Sequence, residues 1–108
     1  MGKNNWRVVW TEDAKDDLRG IVEYLYARES AVLAEKVARA VHAAAERLSY
    51  QALLWRERDT IYPRARFVVV DPYVVVYDVR GSAVNVARIL HGAQDIEAIF
   101  QTEDDPWI

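Results

Sequence analysis

Cysteine is absent from this chain, which excludes a disulfide framework and any cysteine-ligated metal. Histidine is nearly absent. His42 and His91 stand at no spacing, to each other or to acidic residues, that a zinc site would recognise, so neither a metal nor a cofactor is assigned. No apolar run is long enough to span a bilayer, and the opening MGKNNW lacks the hydrophobic stretch of a secretory signal. A soluble cytoplasmic protein with no membrane contact is the expectation. Neither a linker nor an internal repeat is visible. What is present is 52% hydrophobic residues in 108, enough for one compact domain over residues 1–108.

Residues 67–70, 73–79 and 84–90 are dense in valine, isoleucine and aromatics, the types that pack well on a pleated surface. Asp71-Pro72 and Arg80-Gly81-Ser82 separate them with turn residues, so they read as a three-stranded antiparallel meander. Residues 6–10 form an earlier strand with Trp6, Val8 and Trp10 on one face. Thr11 suits a helix N-cap, with Glu12 and Asp13 at the positive end of the helix dipole. Ala14, Leu18, Ile21, Val22 and Leu25 then recur on one helical face. Ser30 caps a second helix whose stripe is Leu33, Val37, Ala40, Val41, Ala44 and Leu48. The predicted fold is α+β: an N-terminal strand, a helical hairpin, then the antiparallel meander, with helices over one face and a short helix over 96–100. Residues 101–108, rich in acids, read as a mobile acidic tail.

A net charge of -3 hides an uneven distribution. Residues 92–108 carry five acidic and no basic side chains, whereas residues 56–91 carry six basic and four acidic ones. All six are arginines: Arg56, Arg58, Arg64, Arg66, Arg80 and Arg88. Arginine suits bidentate recognition of carboxylate or phosphate. The competing reading is a solvated rim paired with Glu57, Asp59, Asp71 and Asp78.

The blocks VVWTEDAKDDLRGIVEYL, YVVVYDV and VARILHGAQD, in this order and spacing, resemble the RelE/ParE toxin superfamily over almost the whole chain. The resemblance implies the toxin of a bacterial type II toxin-antitoxin module, of the kind linked to plasmid stabilization, with a cognate antitoxin as partner. Two branches differ in chemistry. RelE-like members are ribosome-dependent messenger RNA endonucleases, and for that metal-independent reaction Arg66, Arg88 and His91 fall near functional positions, with His91 as acid or base. ParE-like members block DNA gyrase. No tyrosine follows Tyr77 and no lysine follows Lys36, whereas several nucleases of the family use such residues. Arg88-Ile89-Leu90-His91-Gly92 with Asp95 close behind is more similar to the ParE-like branch. A gyrase-inhibiting binder is therefore favoured, with Arg56, Arg58, Arg64, Arg66 and Arg88 as the target-binding set. The alternatives are the nuclease, with ribosome and messenger RNA as partners, and a non-toxic binding domain of the same fold. This chain departs from the ParE pattern at residues 50–63, where YQALLWRERDTIYP replaces a proline and a glycine-arginine pair.

Several side chains have a plainer reading. Trp55 is expected to anchor its loop in the core, the functional alternative being an exposed aromatic between arginines. His42 is expected on the second helix as a helix-surface or interface side chain. His91 is expected to be a hydrogen-bonded structural residue more often than a catalyst. Tyr73 and Tyr77, on one strand face with Val75 and Val79, are expected in packing.

Overall fold

The computed structural model describes residues 5–92 and 94–101. Its elements are β1 (Arg7–Trp10), α1 (Glu12–Arg28), α2 (Ala31–Gln51), β2 (Arg66–Val70), β3 (Tyr73–Arg80), β4 (Ala83–His91) and α3 (Ile96–Gln101). Both helices start where capping chemistry predicts. Thr11 Oγ1 accepts the Ala14 N–H at 3.0 Å and Ser30 Oγ accepts the Leu33 N–H at 3.0 Å, each satisfying a backbone donor that a helix start leaves orphaned. The two-residue turn Gly81-Ser82 joins β3 to β4, and Gly81 takes φ 60°, the left-handed conformation glycine adopts without penalty. The acidic tail expected after Gln101 lies outside the described residues.

The strands form one sheet in the order β1-β4-β3-β2. β3 is antiparallel to both β2 and β4, as the meander requires. β1 differs from the wholly antiparallel expectation, because it runs parallel to β4 with Arg7 opposite Ala83 and Trp10 opposite Val86. A parallel pair needs a long crossover, and everything from α1 to β3 provides it.

The helical hairpin packs on one sheet face. Ala14, Leu18, Val41, Ala45 and Leu48 meet Val68, Val75, Tyr77, Val84, Val86 and Ile89, with Trp6, Val8 and Trp10 closing the β1 side. The α2 stripe is rotated slightly from the expected one. Leu33 and Ala40 are exposed, while Ala34 and Ala45 are buried, so small residues occupy the positions closest to α1 and the sheet.

The opposite face is covered as well, contrary to the expectation of helices on one side only. Ile61, Tyr62 and Ala65 from the α2–β2 connection, and Phe100 from α3, pack on Val74, Val76, Ala87 and Leu90. Near-continuous apolar strands such as 73–77 are the signature of burial on both faces. A β-bulge makes the two cores compatible. Val76 pairs with Arg88 and Tyr77 with Val86, so Ala87 is the extra residue. Beyond it the alternation of β4 is reset, which returns Ile89 to the helix side with Val84 and Val86.

β1 ends opposite Val86, and from there α1 takes over the exposed edge of β4. The Thr11 N–H donates to the Val86 carbonyl at 3.0 Å and Thr11 Oγ1 donates to the Ala87 carbonyl at 2.8 Å. Nearly two turns along, Asp17 Oδ2 accepts from the Ile89 N–H at 2.9 Å and from Arg88 Nε at 2.7 Å, while Oδ1 accepts from Arg88 Nη2 at 3.1 Å. The pair is largely screened from water, at 18% and 16% side-chain exposure. Asp17→Ala removes three charge-assisted hydrogen bonds and leaves a half-buried guanidinium without its carboxylate, so it should cost about 3 kcal/mol in urea unfolding. Arg88→Ala should cost a similar amount, and the double variant clearly less than the sum. Additive losses would show that the two side chains are not coupled.

Tyr77, fully buried, donates its hydroxyl to the Ala52 carbonyl at 2.6 Å and so ties the end of α2 to the sheet. Burial pushes its phenol up to about 12, with the Arg66 charge opposing the rise. The folded state therefore holds this proton more tightly than the unfolded chain, whose phenol titrates at about 10. The resulting stability is fully present below about pH 10 and is lost as pH rises from there to about 12, by up to roughly 3 kcal/mol. Unfolding free energies measured from about pH 8 to about pH 11.5 should show that decline, and Tyr77→Phe should reduce it. An equal decline in both proteins would assign it elsewhere.

Candidate functional site

Residues 52–65 carry three of the arginines singled out from sequence, and the segment is held at several points. The Leu54 N–H donates to the Gln51 carbonyl at 3.1 Å, continuing the end of α2. Trp55 packs partly buried against the helix-side core, and its carbonyl accepts from Arg66 Nη1. That is the anchor role expected for this tryptophan. The Arg58 N–H donates to the Ala65 carbonyl at 2.6 Å, the Ile61 N–H to the Arg58 carbonyl at 3.0 Å, and the Ala65 N–H to the Tyr62 carbonyl at 3.0 Å. These bonds close compact turns in place of a long structureless loop.

The firmest anchor is a buried carboxylate. Asp78 is 0% exposed. Its Oδ2 accepts from the Tyr62 hydroxyl at 2.6 Å, and its Oδ1 accepts from Arg80 Nε at 2.9 Å and Asn85 Nδ2 at 3.2 Å. Burying an ionised group is tolerated only when its lone pairs are satisfied in this way. The sequence pattern points to Asp78 only as an arginine partner and does not single out Tyr62. The signal lay in the strand YVVVYDV, since an acid inside an apolar run implies buried donors nearby.

The structure divides the candidate arginines into two groups. Arg66, Arg80 and Arg88 are committed within the fold. Arg66 bonds the Trp55 carbonyl and lies 3.5 Å from Glu57, Arg80 pairs with Asp78, and Arg88 pairs with Asp17. Arg56, Arg58 and Arg64 form no ion pair with a carboxylate among the described residues. Arg58 instead lies over the Phe67 ring with its guanidinium carbon 4.4 Å from the centroid, a stacking that fixes its direction and leaves donors free. Arg64 is exposed and stands at φ 67°, with its N–H donating to Asp59 Oδ1 at 3.0 Å. Together with Leu54, Trp55, Phe67 and Val69, Arg56 and Arg58 line a groove of about 530 Å³ beside β2.

The residues considered for nuclease chemistry are not all brought together. Arg88 and His91 line a cleft of about 630 Å³ with Tyr24, Tyr73 and Asp17, and Arg66 is not among its lining residues. His91 is exposed, contacts the Tyr73 ring edge-on at 5.8 Å, and its backbone N–H donates to Gln94 Oε1 at 2.8 Å. His42 lies against the Trp10 ring, 5.1 Å between centroids, at the rim of a third groove, of about 760 Å³, between β1 and the hairpin. Among the described residues no group of three or more histidines and acids is placed to hold a metal ion. No described helix is long and apolar enough to cross a membrane.

The sequence that builds this strand, hairpin and meander matches a family of small toxins. The family described as ParE toxin of type II toxin-antitoxin system, parDE, matches residues 8–96, and the chain belongs to it. No curated protein matches. Among solved structures, the chain is similar to one from P. aeruginosa described as a chromosomal ParDE TA system. The two share 20% identity, and the match covers 82% of this chain and 97% of that one at a TM-score of 0.72.

Arg64 allows charge and fold to be separated experimentally. A non-glycine residue in the left-handed region is strained by about 1 kcal/mol. Arg64→Gly should therefore leave the melting temperature unchanged or raise it, despite removing a charge from the candidate surface. Arg64→Ala should keep the strain and lose the charge. A lower melting temperature for the glycine variant would mean that the Arg64 side chain itself supports the fold.

Proposed function

We propose that this toxin acts in the cytoplasm as a protein-binding inhibitor of DNA gyrase and is neutralised by a cognate antitoxin. The observation that carries the target surface is the presentation of Arg56, Arg58 and Arg64 without carboxylate partners among the described residues, on a segment pinned by Tyr62 and Trp55. Arg56 and Arg58, the latter stacked on Phe67, line one groove with exposed Leu54 and Val69, which has the character of an interface hot spot. Arg66 and Arg88 serve this reading as scaffold, because their guanidinium groups are engaged by Glu57, Trp55 and Asp17. The same engagement of Arg88 argues against it as a phosphate-stabilising group in RNA cleavage, and membership of the ParE family supports the gyrase reading further.

For the antitoxin, the groove between β1 and the hairpin fits an apolar helix or strand. Trp10, Leu18, Val22 and Ala38 floor it, with Lys15, Arg19 and Glu23 around them. The similar P. aeruginosa structure is described as a ParDE system, which supports a toxin paired with an antitoxin.

The deciding experiment is a gyrase supercoiling assay run beside a ribosome-dependent messenger RNA cleavage assay. The protein should inhibit supercoiling and leave messenger RNA intact. Arg56→Ala combined with Arg58→Ala should weaken inhibition by about tenfold with little change in melting temperature, and the antitoxin should relieve it. Unchanged supercoiling at high toxin excess, with codon-dependent cleavage, would replace this reading with the nuclease one.

A further inference from the structure

Two edges of the sheet are open, and they are built differently. β1 is four residues long, begins with Arg7, and has the hairpin groove beside it. β2 pairs with β3 alone and in unbroken register from Arg66 to Val70. Its last four residues, Phe67, Val68, Val69 and Val70, carry no charge, no proline and no bulge, the usual devices that keep an edge strand from recruiting another. No backbone bond from a loop or turn covers 67–70 among the described residues. Val69 is 58% exposed and Leu54, across the groove, is 70% exposed.

We infer that the target engages this toxin by adding an extended segment to the β2 edge, with its apolar side chains on Leu54 and Val69 and its carboxylates on Arg56 and Arg58. The inference rests on the gyrase reading and names the chemistry of the segment recognised. Main-chain pairing supplies binding that any sequence can use, and the side-chain pockets select among sequences. Selection here is for acid beside large apolar residues, because the groove is lined by arginine and apolar side chains together. A second copy of this chain is a poor occupant, since pairing through the same groove would bring its own Arg56 and Arg58 towards these.

Val69 is the residue to change, being exposed on the strand and outside the catalogue of anchors that hold the loop. With intact gyrase, Val69→Glu should bind about tenfold more weakly than the natural chain, because it sets a carboxylate against an acidic segment. Val69→Lys loses the same apolar contact but meets the segment's carboxylates with opposite charge, so it should bind more weakly than the natural chain and several-fold more tightly than Val69→Glu. Amide hydrogen exchange on the full chain should show protection at 67–70 upon gyrase binding. Protection with equal binding of the glutamate and lysine variants would overturn the acidic character of the segment. Tight binding of all three proteins with no protection at 67–70 would overturn the edge contact and leave gyrase as target. Failure of the natural chain to bind gyrase would overturn both.

Discussion

The contact on which the rest of this fold depends is the one between the start of α1 and the unpaired edge of β4. β1 covers β4 only as far as Val86, and beyond that point the backbone of Ala87 and Ile89 needs partners. Thr11 and Asp17 supply them. Thr11 Oγ1 serves twice, accepting from Ala14 as helix cap and donating to Ala87 at the bulge. The carboxylate of Asp17 takes the Ile89 N–H and the Arg88 guanidinium together. Helix start, bulge and strand edge are thus one unit. Its geometry sets the angle at which α1, and α2 behind it, crosses the sheet, and hence which residues of each helix are buried.

This arrangement also explains why the arginines separate into two roles. Arg88 lies where a strand edge must be satisfied, and Arg66 where the α2–β2 connection must be tied to the sheet. Each is held by a carboxylate in a partly buried site, where a guanidinium is worth more as a fixed hydrogen-bond donor than as a surface charge. Arg56, Arg58 and Arg64 lie on the outside of the segment those contacts stabilise. Asp78 contributes from beneath, since its bond to Tyr62 fixes the connection to the second sheet face. Removing that bond would leave a fully buried carboxylate short of a donor, so the connection cannot lift away without a penalty.

Local signals in the sequence predicted every strand to within a residue and the starts of both long helices, because caps at Thr11 and Ser30, the turns at 71–72 and 80–82, and the valine-rich runs are each chemistry of neighbouring residues. The family resemblance was legible for the same reason, and the match over residues 8–96 agrees with it. What local patterns could not reveal was pairing at long range. The parallel pairing of β1 with β4 depends on a crossover of more than seventy residues. Asp17 reaching Arg88 spans 71 positions, and nothing near either residue announces it. The cover on the second sheet face comes from a segment whose apolar residues, Ile61, Tyr62 and Ala65, follow no simple period. The separation of structural from available arginines needed the coordinates too, since Arg58, flanked by Glu57 and Asp59, pairs with neither, whereas Arg66, flanked by Ala65 and Phe67, reaches Glu57 nine positions away.

The two open edges are three strand spacings apart in the order β1-β4-β3-β2, roughly 14 Å at about 4.8 Å per step. A single helix seated in the groove beside β1 would therefore leave β2 and the arginine-bearing connection uncovered. Neutralisation by occlusion would require the bound segment to continue around the molecule to the β2 side. The grooves differ in character accordingly. Apolar side chains of Trp10, Leu18 and Val22 line one, which suits stable association, whereas Arg56 and Arg58 border the other, which suits rapid, charge-steered encounter. On the proposed function, a toxin held firmly by its antitoxin and meeting its target only when released gains from keeping these two surfaces at opposite edges of one sheet.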